Sequence, residues 1–548
     1  MTTIEISPDA PPFTGADHSD VVTDPRRRRR ILIAMCTALV AVIASVSGLN
    51  VAMQHLAVDL GASQGTLLWI INGYTMALAA LLLPVGAVGD RWGRKRVLLL
   101  GLAVFAASNV VAAFATTSTV MLIARVVAGT GAAMIMPVTL SIITSSFPAD
   151  ERAKAVGIWA GFAGAGGILG LFFSSAMIDW FTWPWLFVLP TALAAIAFAI
   201  TITSVGESRE NHSGRFDIVG SVLSAVGIGA LVLGGHEGPE QGWLAPLTLI
   251  AVIVGLVAVV GFVLWELRND HPLLDVRVFA DRSLSTGSFN LTIVFAVMFG
   301  IFLVLVQFLQ AVLGWSALRA AAGLLPMAFV MMPLSAVAPR IAARLGTRTT
   351  LLLGTSLFGA GLTVMAIMTS ADGGYLSILP GLVILAVGMG LSMTPSTTAI
   401  TETLPAEKQG VASALNDTVR ELGGAIGVAL LGSVLNGGYR ANMASTAEAL
   451  PPALRGPVED GIGSALAVSS QLGAEGAQVA DAARHAFVDG WQSSMWVGVA
   501  MAAVAVLFIA WRAPRRSDAT EIGTIGNVDA VDIDTHLAVV LEPVAAGR

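Results

Sequence analysis

Residues Gly86 to Leu98 read GAVGDRWGRKRVL, a charged hairpin of Asp90, Arg91, Arg94, Lys95 and Arg96 wedged between two apolar runs. The flanks, roughly Leu67 to Val85 and Val97 to Thr116, carry no ionisable side chain except Tyr74. Each flank is long enough to cross a hydrocarbon core of about 30 Å as a helix, and basic residues gather in the loops outside it. The stretch therefore predicts two membrane-spanning helices joined by a tight basic turn.

Working outward, apolar stretches of spanning length recur at about 31–53, 67–87, 97–116, 119–141, 155–178, 185–205, 216–235, 245–265, 287–312, 318–341, 349–369, 376–400, 410–435 and 492–512, which makes fourteen. Of the 548 residues, 55% are hydrophobic and only 12% charged, which excludes a soluble globular protein. Ionisable residues sit between the runs and few regular period-2 alternations occur, so the expected class is an all-α polytopic bundle, not a lipid-facing barrel. The formal net charge of -6 says little about partners, because orientation sorts the positive residues by side. The single cysteine, Cys36, excludes an intramolecular disulfide and any multi-cysteine metal site. The run after Arg26 to Arg30 is longer than a signal-peptide core and lacks an A-x-A-like site, so it is read as an uncleaved first span.

The distribution of basic residues tests the count. With a cytoplasmic N-terminus, 24 of the 30 Lys and Arg fall in inside segments and four outside (Arg319, Arg440, Arg455 and Arg484), leaving Arg125 and Arg420 within spans. That asymmetry fixes the orientation and requires an even number of spans, with both termini inside.

The loop after the tenth span, PRIAARLGTR, is a worn copy of the opening hairpin: Arg344, Gly346 and Arg348 stand where Arg91, Gly93 and Lys95 stood, and Ala343 replaces the acid. The copies occupy equivalent places if the chain is two six-span halves with two inserted spans. The expected division is a disordered cytoplasmic tail over 1–30, a first half over 31–205, inserted helices over 206–270, a second half over 271–512 and a cytoplasmic tail over 513–548. GGHEGPEQGW is the expected loop between the inserted spans, and the outside segment 436–490 is expected to form amphipathic helices lying on the outer surface.

Charges inside spans are costly and so point to function. Arg125 stands alone in LIARVVAGTGAAMIMP, and Asp417, Arg420 and Glu421 share one helical face in GVASALNDTVRELGGAIGVALL, with Glu421 near the midplane. Two acids beside one arginine leave a surplus carboxylate that can hold or release a proton as hydration changes. Static bracing of the two halves is the competing role. Asn50, Trp69, Asn72, Tyr74 and Gln310 are candidates for lining a polar cavity, with buried interhelical hydrogen bonds as the alternative. Gly161, Gly164, Gly167 and Gly170 are candidates for a close-packed helix seam.

The opening hairpin resembles the cytoplasmic loop signature G-x-x-x-D-R-x-G-R-K/R of the major facilitator superfamily, on Gly86, Asp90, Arg91, Gly93, Arg94 and Lys95. Within it, VSGLNVAMQHL, WIINGYTMAL and FLQAVLGWSALRAAAGLLP resemble the fourteen-span drug:proton antiporter branch. The resemblance implies alternating access between two halves, steered by the charged loop, and a segment around Arg125, Gly129 and Gly131 linked to proton coupling. Departures are visible. Ala128 stands where the family often has glutamine, Ser45 where many drug exporters carry an acid, and Gly170, Leu171, Ser174 and Ser175 fall on a G-P-x-x-G-G signature of which only the first glycine remains. The missing acid tilts the expected cargo away from lipophilic cations.

The implied function is proton-driven export of amphipathic small molecules from the plasma membrane. The cofactor expectation is none, with the proton gradient as energy source; the expected partners are the cargo, protons and the bilayer, without nucleic acid, in a monomer. Export of a lipid or secreted metabolite, and import or uniport on the same fold, are alternatives. A membrane-embedded lipid-modifying enzyme would need a reactive set or nucleotide loop, and the sequence offers neither.

Overall fold

The structure, a computed structural model, describes residues 21–208, 215–405, 408–473 and 476–515, and leaves aside the side chains of Asn50, Val51, Gln54, Val58, Gln64, Glu240 and Leu303. Most of both expected tails, 1–20 and 516–548, lies outside the described residues.

The described residues form helices without strands, fourteen of them long and apolar enough to cross a membrane. The first six are α1 (Pro25–Asp59), α2 (Gln64–Trp92), α3 (Arg94–Ala113), α4 (Ser118–Ser146), α5 (Ala149–Trp180) and α6 (Val188–Ser204). The inserted pair is α7 (Ile218–Gln241) and α8 (Pro246–Glu266). There follow α9 (Arg282–Gln307), α10 (Ala317–Leu345), α11 (Thr347–Met368), α12 (Leu379–Thr403), α13 (Gln409–Glu448), the short α14 (Pro452–Asp460) and α15 (Ile462–Ser469), and α16 (Gly476–Arg512).

Local chemistry sets the ends. Ser63, Thr117, Asp217, Asp281 and Ser316 accept hydrogen bonds from the first free amides of α2, α4, α7, α9 and α10. The charged hairpin is tighter than a loop: only Gly93, at φ +110°, separates α2 from α3. Gly346, at φ +88°, does the same between α10 and α11, so the worn repeat keeps its turn where it lost its acid.

The two halves repeat one packing scheme. In the first, α1 packs on α5 and α6, α2 on α4, and α3 on α4 and α6; in the second, α9 packs on α13 and α16, α10 on α12, and α11 on α12 and α16. Between halves, α2 meets α13 and α5 meets α10, as a two-fold axis requires. The inserted α7 breaks the symmetry by packing on both α2 and α13, with α8 on its other side.

Two sequence expectations are corrected. The GGHEGPEQGW segment is not a loop up to its last residues, because α7 runs through Pro239 to Gln241 before Gly242 turns the chain at φ +98°. Nor does 436–490 lie flat as separate surface helices. α13 continues to Glu448 and α16 begins at Gly476, so 40- and 37-residue helices project well past a span of about 20 residues. α14 and α15 bridge the projecting ends over a buried set that includes Tyr439, Met443, Val458, Ile462 and Phe487. The Tyr439 hydroxyl donates to the Val458 carbonyl at 3.1 Å. Continuous helix satisfies the backbone in lipid and water alike, whereas apolarity marks only the part in lipid.

α9 and α13 approach so closely at Gly427 that a Cβ there would overlap the Ala296 carbonyl oxygen. Gly427→Val is expected to destabilise the second half by at least about 1–3 kcal/mol, read as a lower melting temperature of the purified protein in detergent.

Candidate functional site

The hairpin residue Asp90 is buried, and its carboxylate is fully occupied. Arg94 donates to Oδ1 through Nε at 3.0 Å and through Nη2 at 2.8 Å. The Gly410 amide donates to Oδ1 at 2.8 Å and the Val411 amide to Oδ2 at 3.1 Å. Those amides open α13, in the other half of the molecule. Asp90 thus caps a helix 320 residues away in sequence, where its charge also meets the positive end of the helix dipole. The approach needs glycine on both sides: a Cβ at Gly86 would lie 2.6 Å from the Gly410 carbonyl oxygen, and one at Gly410 would collide with the Gly86 carbonyl oxygen. Lys95 and Lys408 accordingly lie at one end of the bundle, here termed the hairpin end.

Gly86→Val is expected to pry this seam apart. Overpacking of about 1–3 kcal/mol shifts a two-state equilibrium roughly five- to a hundredfold. With Cys36 replaced by serine, a single reporter cysteine at the buried Ala414 should then react faster with a maleimide than it does beside Gly86.

The remaining hairpin residues are held by the end of the first half. The Arg94 amide donates to the Ser208 carbonyl at 3.0 Å and its guanidinium to the Ser208 hydroxyl at 3.3 Å. Lys95 Nζ donates to the Ile202 carbonyl at 3.0 Å, and Arg96 pairs with Glu207 at 3.3 Å. Gly93 faces the Glu207 carboxylate, which a Cβ would displace. Arg91 has no hydrogen bond or ion pair among the described residues.

A second cluster lies within the first half. Arg125 on α4 is 1% exposed and has no carboxylate partner among the described residues. Its guanidinium lies 4.2 Å over the Tyr74 ring and donates through Nη1 to the Ser45 hydroxyl at 2.8 Å, while Nε stays unpartnered. Ser45 donates in turn to Asn109 Oδ1 at 3.2 Å. The Tyr74 hydroxyl donates to the Val42 carbonyl at 3.1 Å. Equivalent helices of the second half carry a neutral counterpart, in which Asn290 on α9 joins Ser396 on α12 at 2.9 Å and Thr355 on α11 at 2.8 Å.

The third cluster is on α13. Arg420 Nη1 meets Asp417 Oδ1 at 3.1 Å, and the Asn416 amide donates to the same oxygen at 3.2 Å. Asp417 Oδ2 and Arg420 Nε are buried without partners. The Arg420 guanidinium is sandwiched between halves, 5.4 Å from the Trp159 ring on α5 and 4.4 Å from the Phe295 ring on α9. Glu421 is half-buried, and its carboxylate makes no hydrogen bond or ion pair among the described residues. It lies within electrostatic reach of Tyr74, the residue under Arg125. α2 and α4, which carry Tyr74 and Arg125, both pack on α13, which carries the third cluster.

The predicted residues divide accordingly. The structure joins Gly86 and Asp90 to α13, with Arg94 held on Asp90, and stacks Arg125 on Tyr74. Asn72 is buried and Trp69 half-buried on α2, while the side chain of Asn50 lies outside the described residues. Gln310 is exposed in the π-helical turn Phe308–Val312. The glycine seam is two seams: Gly157, Gly161 and Gly164 face α10 at Ser335, Met332 and Met331, whereas Gly166 and Gly170 face α1 at Ile43 and Ala44. Gly167 also faces α1 but more loosely, since a Cβ there would meet Ser47 Oγ at 3.9 Å. Sequence reasoning missed Gly410, Trp159, Phe295 and Asn109. A glycine just inside the start of a span was the one visible signal, for Gly410.

The model of the Major Facilitator Superfamily matches residues 33–428. The chain is 33% identical over 485 residues to the Multidrug efflux pump LfrA of Mycolicibacterium smegmatis, covering 88% of this chain and 95% of that one. It is 30% identical over 405 residues to the Multidrug resistance protein Stp of Mycobacterium tuberculosis, covering 74% and 75%. Among solved structures, that of the human organic anion transporter MFSD10 (TETRAN) superposes with a TM-score of 0.59 at 12% identity, over 89% of this chain and all of that one.

Proposed function

The chain belongs to the major facilitator superfamily, and from that premise we propose that it is a proton-coupled exporter of amphipathic small molecules working by alternating access. A transporter of this family, not an enzyme, is what fold and relatives describe, and it is a multi-pass membrane protein. The relatives named as multidrug pumps support drug efflux as the activity. The orientation proposed puts the hairpin end and both termini on the cytoplasmic side of the plasma membrane, following the basic residues. A monomer is proposed, since one chain carries both halves and the boundary between them.

One observation carries the mechanism: Asp90 seals the hairpin end against α13 while, further along the same helix, Glu421 sits at the half boundary with no hydrogen bond or ion pair among the described residues. Separation of the halves at that end must undo the cap and re-expose the boundary. A carboxyl group there changes its hydration with the conformation, and so can exchange a proton with each side in turn. Arg420, one residue earlier, is the cation whose charge bears on Glu421, while Arg125, stacked on Tyr74, has no carboxylate partner among the described residues. In this scheme Asp417 and Arg420 hold the α13 segment between Trp159 and Phe295.

Ser45 occupies the place beside Arg125 where an acid would attract cations. Neutral or anionic amphiphiles are therefore the favoured cargo, and export of a lipid-like or secreted metabolite is the second reading. The test is transport in proteoliposomes under an imposed pH gradient, with cationic, neutral and anionic amphiphiles in parallel. Export accelerated by inward proton flow supports the scheme. Transport unaffected by collapse of the gradient indicates a uniporter, and uptake driven with the gradient indicates an importer.

A further inference from the structure

On the outer side of the charged hairpin lies a groove of about 340 Å³ lined by Arg91, Trp92, Arg96, Val97 and Leu100. It has two unlike ends. At the turn, Arg91 is without a partner among the described residues, and Arg96 holds Glu207 at 3.3 Å with its side chain 68% exposed, a pair weak enough to exchange. Trp92 is 66% exposed beside them. Further along α3, Leu100 is exposed and continues into Ala103, Ala107, Val110, Val111 and Phe114, an exposed apolar stripe at helical spacing. In a membrane-spanning helix such a stripe faces acyl chains. The groove is therefore the place where that lipid-facing stripe meets two guanidinium groups and an indole, a residue typical of the membrane–water interface.

We infer that this groove is a binding site for an anionic phospholipid of the leaflet on the hairpin side, with its phosphate between Arg91 and Arg96 and its acyl chains along Leu100 and the α3 stripe. Charge complementarity selects the headgroup, because a guanidinium pairs with phosphate through two parallel donors. The apolar stripe selects a lipid over a free phosphate ion. Arg91 directly follows Asp90, so a bound lipid clamps the same turn whose acid caps α13. The lipid thereby favours the conformation sealed at the hairpin end. The site is independent of the cargo and of proton coupling.

The test is native mass spectrometry of the full-length protein in detergent, titrated with phosphatidylglycerol or with phosphatidylcholine of the same acyl chains. One juxtamembrane charge contributes about fivefold to anionic-lipid affinity, so Arg91→Gln with Arg96→Gln should lower phosphatidylglycerol retention roughly tenfold or more. Arg91→Lys with Arg96→Lys should retain much of it, and phosphatidylcholine retention should be low throughout. Arg29→Gln with Arg30→Gln removes two exposed charges at the same end of the bundle and should leave retention unchanged. Equal retention by the Gln pair and the parent, or an equal loss in the Arg29/Arg30 pair, overturns the site. Displacement of phosphatidylglycerol by millimolar inorganic phosphate shows that the groove takes a free anion, and overturns the lipid.

Discussion

Asp90→Ala is expected to reduce export by about two orders of magnitude at matched protein levels in the membrane. The substitution removes four hydrogen bonds, two of them from the opening amides of α13, and leaves the buried Arg94 guanidinium without its carboxylate. Removing one partner of a buried charge pair costs about 3–5 kcal/mol. The share of the loss that comes from the Gly410 and Val411 amides falls on the conformation in which the halves meet at Gly86 and Gly410, because only there are those amides within reach. A shift of this size moves a two-state protein almost entirely to the other state. The protein should still fold, since the helices of each half keep their internal packing. Asp90→Asn, which retains one acceptor oxygen, should fall between. The measurement is efflux from proteoliposomes alongside maleimide labelling of a cysteine at Ala414; normal efflux with an unreactive cysteine would mean that the cap does not control access.

Glu421→Gln is expected to separate transport from the proton gradient with little loss of stability. Its carboxylate has no hydrogen bond or ion pair to lose, so the amide fits the same half-buried position. Cargo movement down its own gradient should persist, while the acceleration by an imposed pH gradient, severalfold or more in the parent, should collapse to about one. Asp417→Asn should behave otherwise. It deprives Arg420 of its charge partner at 3.1 Å, so the expected first effect is a lower melting temperature, on the order of the 3–5 kcal/mol for a broken buried pair. Two neighbouring acids on one helix face are thus assigned different work by what surrounds them. Intact proton-driven export in Glu421→Gln would remove that residue from the coupling scheme.

The span count and the two-half repeat were legible because membranes enforce a coarse rule. A helix in lipid must be apolar for about 20 residues, and charges gather where it ends. The same rule misled where it stopped applying. Beyond the lipid, α13 and α16 continue as helices with mixed composition, and GGHEGPEQ stays helical despite three glycines and a proline. Arg125, Asp417, Arg420 and Glu421 were visible as charges out of place. Trp159 and Phe295 were not, since they are ordinary residues in ordinary spans, and Ser45 and Tyr74 stood out without showing that they hold Arg125.

The order of apolar runs and basic turns by itself determined a fourteen-helix membrane protein with two related halves, because hydrophobic length and charge position are properties of local sequence. Only the tertiary structure decided that Asp90 caps α13, that Arg125 rests on Tyr74 instead of an acid, and that Asp417, not Glu421, holds Arg420. Those choices depend on which helix ends and faces meet across hundreds of residues. Close approach at glycine, and not any pattern along the chain, sets where they meet.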